Sequence, residues 1–331
     1  MKKIATLLLS IMLSIVAVFG SACKEEKKDY TFMVPDGAPA LAVAELIYNK
    51  DGLGLDKPVN YSVVSSTQIS TNLSSGKPDI MVAPVNLASQ YYKANSNDYV
   101  MVAVLTHGNF YIMSTTPISI EDIKGKQIAV PSRGAVPDWT LKMVLESYGI
   151  TYGENDSSKD VNISYYTEGS NVVQSIMAGS ETIGLVPEPA ATNLEAKYLQ
   201  QKGAPLYRLD LQELYDGTAK AYPQAVLMVK KSVLNSHADL IFALEQKITE
   251  SANWIKQNVS TAVDTINNNG GTTLNKNALS ESAINGCKIY WKSAMDAKLS
   301  VKTYINKIIE IDGSKASPVG DDFFYDSTLI K

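Results

Sequence analysis

Ile128-Ala129-Val130-Pro131-Ser132-Arg133-Gly134-Ala135-Val136-Pro137 repeats a plan already met in Phe32-Met33-Val34-Pro35-Asp36-Gly37-Ala38-Pro39. Each is an apolar run that closes on Pro, passes a Gly-Ala turn and enters an amphipathic helix. Each has a second part. Gly76-Lys77-Pro78-Asp79-Ile80-Met81-Val82-Ala83-Pro84 is echoed by Gly179-Ser180-Glu181-Thr182-Ile183-Gly184-Leu185-Val186-Pro187. In both, Ile and Pro stand at the same spacing from Gly. Two similar α/β units facing each other make a cleft, and a cleft points to a small ligand.

Outward from these motifs, strands are expected at 31–34, 60–64, 80–82, 99–105, 110–114, 127–130, 162–166 and 182–186. Helices are expected between them at 40–48, 69–73, 87–94, 139–148, 171–178 and 190–200. This alternation implies βαβ units and mainly parallel sheets with flanking helices. In such sheets ligands sit outside the carboxyl ends of the strands, where the Pro-ended runs place their loops. Thr115-Thr116-Pro117 reads as the crossing into the second unit, and the apolar run 222–229 as the return. From 238 the chain reads as mostly helical, with helices at 238–257, 259–267, 280–290 and 298–309. Asn267-Asn268-Asn269-Gly270-Gly271 is a helix stop.

A chain of 331 residues has room for two such units. Its beginning carries a different signal. Lys2 and Lys3 precede an apolar run over 4–19, and Gly20, Ser21 and Ala22 follow. That is the design of a secretory signal over 1–22. The run is shorter than the roughly 18 residues of a membrane-spanning helix. Small residues before Cys23 resemble the lipobox of bacterial lipoproteins, with Gly20 where an aliphatic residue is usual. Cys23 is thus the expected lipidation site, and 23–29 a polar tether holding the globule off a membrane. With Cys23 acylated, Cys287 has no disulfide partner. The remainder carries 28 basic and 34 acidic residues, a balance that argues against nucleic acid.

Helix starts have unpaired N–H groups and partial positive charge. Two of them aimed at one gap favour an anionic group on the ligand. Arg133, one of only two arginines, sits in the second turn and offers a planar donor fork. Asp36, Asp138 and Glu188 fall in the same loops; they bind amine or hydroxyl groups, cap helices or close the lobes by ion pairs, and leave the ligand's charge open. Trp139, Tyr91, Tyr92, Tyr165, Tyr166 and Tyr222 lie near loops or strand ends, where a flat heteroaromatic ligand would stack, although single rings there also serve as core. His107 is a candidate ligand contact in a strand-end loop. No Walker A, His-Glu-x-x-His, Cys-x-x-Cys or Gly-x-Ser-x-Gly motif is present, so no cofactor, metal or catalytic residue is expected.

Together, the leader, the two α/β lobes and the helical C-terminal third resemble a type II periplasmic binding protein, the solute-binding lipoprotein of an ABC importer. Val34-Pro35-Asp36-Gly37-Ala38-Pro39, Ala83-Pro84-Val85-Asn86 and Val130-Pro131-Ser132-Arg133-Gly134 are similar to the nitrate/sulfonate/taurine and thiamine-pyrimidine-precursor branch. The resemblance implies a discontinuous lobe I, 30–116 plus 223–331, and an inserted lobe II, 117–222. It implies ligand contacts at Gly37-Ala38, Ser66-Thr67, Pro84 to Asn86, Arg133-Gly134-Ala135 and Glu188. The expected protein is a monomer that captures a small polar or heteroaromatic solute by hinged closure and hands it to permease and ATPase subunits at the membrane. An enzyme on the same fold, resembling menaquinone-pathway lyases, and a surface sensor or adhesion lipoprotein are the competing readings. The cysteine-rich iron motif of one synthase in that branch is absent here.

Overall fold

The computed structural model describes residues 28–94, 98–216, 220–276 and 279–326. The expected leader 1–22, Cys23 and most of the tether 23–29 lie outside the described residues. The chain opens with β1 (Tyr30–Pro35), α1 (Ala38–Ala42), α2 (Ala44–Asn49), β2 (Val59–Val64), α3 (Ser66–Ser74), β3 (Ile80–Pro84), α4 (Val85–Ala94), β4 (Tyr99–Thr106) and β5 (Phe110–Ser114). It continues through β6 (Lys126–Pro131), α5 (Val136–Ser147), β7 (Tyr152–Gly153), β8 (Val161–Tyr166), α6 (Gly169–Ala178), β9 (Ile183–Pro187), α7 (Ala190–Lys202), β10 (Tyr207–Asp210) and α8 (Leu211–Tyr215). It closes with β11 (Ala225–Lys230), α9 (Lys231–Ser236), α10 (Leu240–Gln257), α11 (Val259–Asn268), α12 (Glu281–Gly286), β12 (Ile289–Ser293) and α13 (Ala294–Ile311).

The strands form two six-stranded sheets. The first runs β12-β4-β11-β3-β1-β2 and the second β10-β5-β9-β6-β8-β7. The repeated motifs take matching places. β1 lies between β2 and β3, parallel to both, and β6 lies between β8 and β9 in the same way. Beside each parallel block runs one antiparallel strand, β11 against β3 and β5 against β9. The sheets are therefore mixed, with the expected parallel strands as their nuclei.

Two expectations need correction. The crossing is not at Thr115-Thr116-Pro117, because the five buried residues of β5 pair with β9 in the second sheet. The chain crosses at His107 to Asn109. The return strand runs beside it: Tyr222 N–H donates to His107 O at 3.2 Å and Gln224 N–H to Thr106 O at 3.0 Å. An apolar run buried on both faces does not say which sheet it joins. The expected helix 280–290 also stops early. Lys288 has φ 49, a left-handed conformation that ends a helix, and the β-favouring residues after it form β12 on the edge of β4.

Strand residues alternate between faces, and both faces of each sheet are covered. Phe32, Val34, Ile80, Val82, Leu227 and Val229 pack with α1, α2, α10 and α11 on one face of the first sheet. Met81, Met101, Val226 and Met228 belong to a second cluster, which continues through Tyr222 and Tyr304 to Ile112, Ile128 and Leu185 of the second sheet. One apolar core thus joins the two sheets behind the crossings. A third, smaller cluster of Met113, Val172, Ile176, Val186 and Leu194 covers the outer face of the second sheet.

Candidate functional site

The expected site lies at the loops that follow the carboxyl ends of the parallel strands. Pro35 is level with Val64 at the ends of β1 and β2, and Asp36 N–H donates to Val64 O at 2.9 Å. Pro131 is level with Tyr166, and Ser132 N–H donates to Tyr166 O at 2.8 Å. Glu188, after β9, is tied to the crossing by its N–H to Asn109 O at 2.8 Å. Two glycines mark close approaches between the halves on this side. A side chain on Gly134 would lie 3.7 Å from Lys315 Cε, and one on Gly286 would lie 2.8 Å from Glu188 Cγ. Tyr111 Oη, on β5, reaches Gly286 O at 3.5 Å.

The acidic residues of these loops bind their own chain. Asp36 accepts from Gly37 N–H at 2.8 Å, Thr272 N–H at 2.6 Å and Thr273 N–H at 2.9 Å, clamping the loop after α11 onto β1. Asp138 is fully buried. It accepts from Gly134 N–H at 2.8 Å, Tyr165 Oη at 2.9 Å and Lys142 Nζ at 3.0 Å. Glu188 is buried too and accepts from Thr192 N–H at 3.0 Å, Thr192 Oγ1 at 2.7 Å and Arg208 Nη1 at 3.0 Å. Ser65 and Gln68 form a reciprocal capping box at the start of α3. Side chains thus fill the starts of α3 and α7, through Ser65 and Glu188, whereas the helix starts of the two repeated turns, after Gly37 and Ala135, carry no side-chain cap.

The other expected contacts divide. Gly37 (φ 95) and Gly134 (φ 66) hold the left-handed turns that let their loops leave the strands. Pro84 ends β3 half-buried, and Ala135 is half-buried before α5. Asn86 is buried and donates from Nδ2 to Lys315 O at 3.2 Å. Arg133 is exposed, pairs with Glu154 at 2.7 Å and lies over the Tyr165 ring at 5.1 Å. Ala38, Trp139 and Tyr222 are core residues, each nearly inaccessible to solvent. Ser66 and Thr67 begin α3, but their side chains lie outside the described residues.

His107 is a structural residue of the crossing. Its ring stacks on Tyr290 with centroids 3.6 Å apart, and Nε2 lies 3.1 Å from Tyr290 O. The carbonyl accepts, so Nε2 carries the proton. Burial pushes the imidazole down to about 4 from an ordinary 6.5.

Sequence reasoning missed Arg208, Tyr111, Lys315 and the strain at Ser132. Arg208 lies over Tyr111 at 4.7 Å and holds Glu188 and Glu195. It falls in β10, a four-residue edge strand with no apolar alternation to announce it. Ser132 has φ 55, and its Oγ donates to Thr167 O at 3.2 Å. A non-glycine residue held there stores on the order of 1–3 kcal/mol, as loops at functional sites do. No group of side chains able to hold a metal ion occurs among the described residues. No helix among them is long and apolar enough to cross a membrane.

No protein-family model and no curated protein sequence matches this chain. Solved structures do. An ABC transporter protein of Parabacteroides distasonis is similar over 90% of this chain and 99% of its own, with a TM-score of 0.72 at 19% identity. The periplasmic aliphatic sulphonate binding protein SsuA of Escherichia coli is similar over 91% of this chain and 93% of its own, with a TM-score of 0.64 at 14% identity. The zinc-bound ligand binding component of an ABC-type import system from Staphylococcus aureus gives 92%, 99%, 0.59 and 14%. At such identities the likeness is one of fold. The chain has the two-lobed α/β fold of periplasmic binding proteins.

Proposed function

We propose that this chain is the extracytoplasmic solute-binding component of an ABC importer. The observation that carries the reading is the matched pair of parallel blocks, β3-β1-β2 and β9-β6-β8, joined by two crossings that run side by side. The fold shared with import components supports it. In this reading lobe I comprises 30–108 and 223–331 and lobe II 109–222. The loops at Gly37, Ser66-Thr67, Pro84 to Asn86, Arg133 to Ala135 and Glu188 line the gap. The lobes close by a hinge at the crossings, and a permease with its ATPase takes the solute. Cys23 carries the lipid that holds the protein at the membrane. The solute is a small polar or heteroaromatic molecule, and the uncapped start of α5 accepts an anionic group on it.

Thermal denaturation across a panel of small polar and heteroaromatic solutes tests this. A ligand at a hundredfold excess over its Kd adds about 2.7 kcal/mol, so at least one solute class is expected to raise Tm by several degrees. Turnover of a bound compound by the purified protein would instead favour the enzyme reading.

A further inference from the structure

Away from the gap, a cavity of about 280 Å³ lies between α10 and the edge strand β12. Its walls include Asn253 and Lys256 of α10, Asn285 of α12, and Lys288, Tyr290 and Trp291. Among the described residues no acidic side chain lines it, although acidic residues outnumber basic ones in the chain. Among the described residues neither Lys256 nor Lys288 has a carboxylate partner. Glu213 is within electrostatic range of Lys288 but is held by Lys220 at 2.6 Å. Lys256 is exposed and Lys288 half-buried, so both ammonium groups are open to a ligand at this cavity.

The wall beside the lysines is aromatic. One face of Tyr290 stacks on His107, and the residue is still 43% exposed. The indole N–H of Trp291 is buried without an acceptor. The volume is below that of cavities for drug-sized ligands and suits a molecule of one ring.

We propose that this cavity is a second binding site, for a small organic anion carrying a flat ring. Its carboxylates lie between Lys256 and Lys288 and its ring lies against Tyr290. The site is separate from the gap between the sheets, and it adjoins the first crossing, since Lys288 O accepts from His107 N–H at 3.1 Å.

Isothermal titration calorimetry on the full chain tests this with phthalate as probe, and benzamide and sulfate as controls. Phthalate is expected to bind one-to-one, and Lys256→Gln with Lys288→Gln to weaken it at least about tenfold. Tyr290→Leu should weaken phthalate while leaving sulfate unchanged. Circular dichroism on the same variants verifies that they fold. Absence of saturable phthalate binding overturns the proposal, as does binding that the lysine variants leave intact. Benzamide or sulfate binding as tightly as phthalate overturns it equally, because neither joins a ring to a negative charge.

Discussion

Asp138 holds its carboxylate where water does not reach, against three donors from Gly134, Tyr165 and Lys142. Removing it leaves those half-buried donors without their carboxylate. Asp138→Ala is expected to lower the unfolding free energy by about 3 kcal/mol, read from urea denaturation; a change below about 0.5 kcal/mol would mean that water replaces the carboxylate. His107 gives a pH signature. Its imidazole takes a proton near 6.5 in the unfolded chain and only near about 4 in the fold. The unfolded state therefore binds more protons across that window, and stability falls as pH drops through it. The contribution is intact above about 6.5 and gone below about 4. His107→Phe is expected to flatten this part of the acid slope, seen as a smaller shift in the urea midpoint between about pH 7 and about pH 4.5. An unchanged slope would assign the titration to other groups. Asp36, Arg133 and Glu188 follow strand ends as the sequence reading expects, whereas Asp138 lies in the first turn of α5. Sequence did not show which way each side chain turns, because that depends on donors such as Thr272 and Arg208 far along the chain.

The repeated Pro-ended runs were the most legible elements, since each carries apolar residues for two buried sheet faces and a terminator in the same few residues. The edges were the least legible. β10 and β12 are short and half-exposed, and pairing rather than pattern makes them strands. The crossing was misplaced for a related reason, because Gly108 rather than Pro117 marks it. Gly108 has φ 89, and a Cβ there would fall 2.6 Å from the Tyr222 ring and 2.7 Å from Gln212. Gly108→Ala combines left-handed strain with overpacking and should cost about 3 kcal/mol. Equilibrium unfolding checks this. A neutral substitution would show that the crossing relaxes freely and does not pin the two strands together.

At the scale of the whole molecule, one core fuses the lobes behind the crossings while α12 meets Glu188 and Tyr111 in front. A Cβ built on Gly286 would fall 2.8 Å from Glu188 Cγ. Gly286→Ala gains up to about 1 kcal/mol of helix propensity, which offsets part of the overpacking of its methyl group against Glu188 Cγ, while the two halves are held further apart there. Solute affinity should drop about tenfold by calorimetry, a larger loss in free energy than the change in unfolding; equal losses in both would make Gly286 an ordinary packing position. The central claim is that the gap between two matched sheets holds one small solute. Native mass spectrometry tests it most directly, on the mature chain stripped of ligand by unfolding, refolded, and exposed to the small-molecule fraction of its growth medium. The account predicts a single adduct of one small molecule per chain, diminished by Gly286→Ala. A spectrum of bare protein only, at every concentration of that fraction, would contradict it.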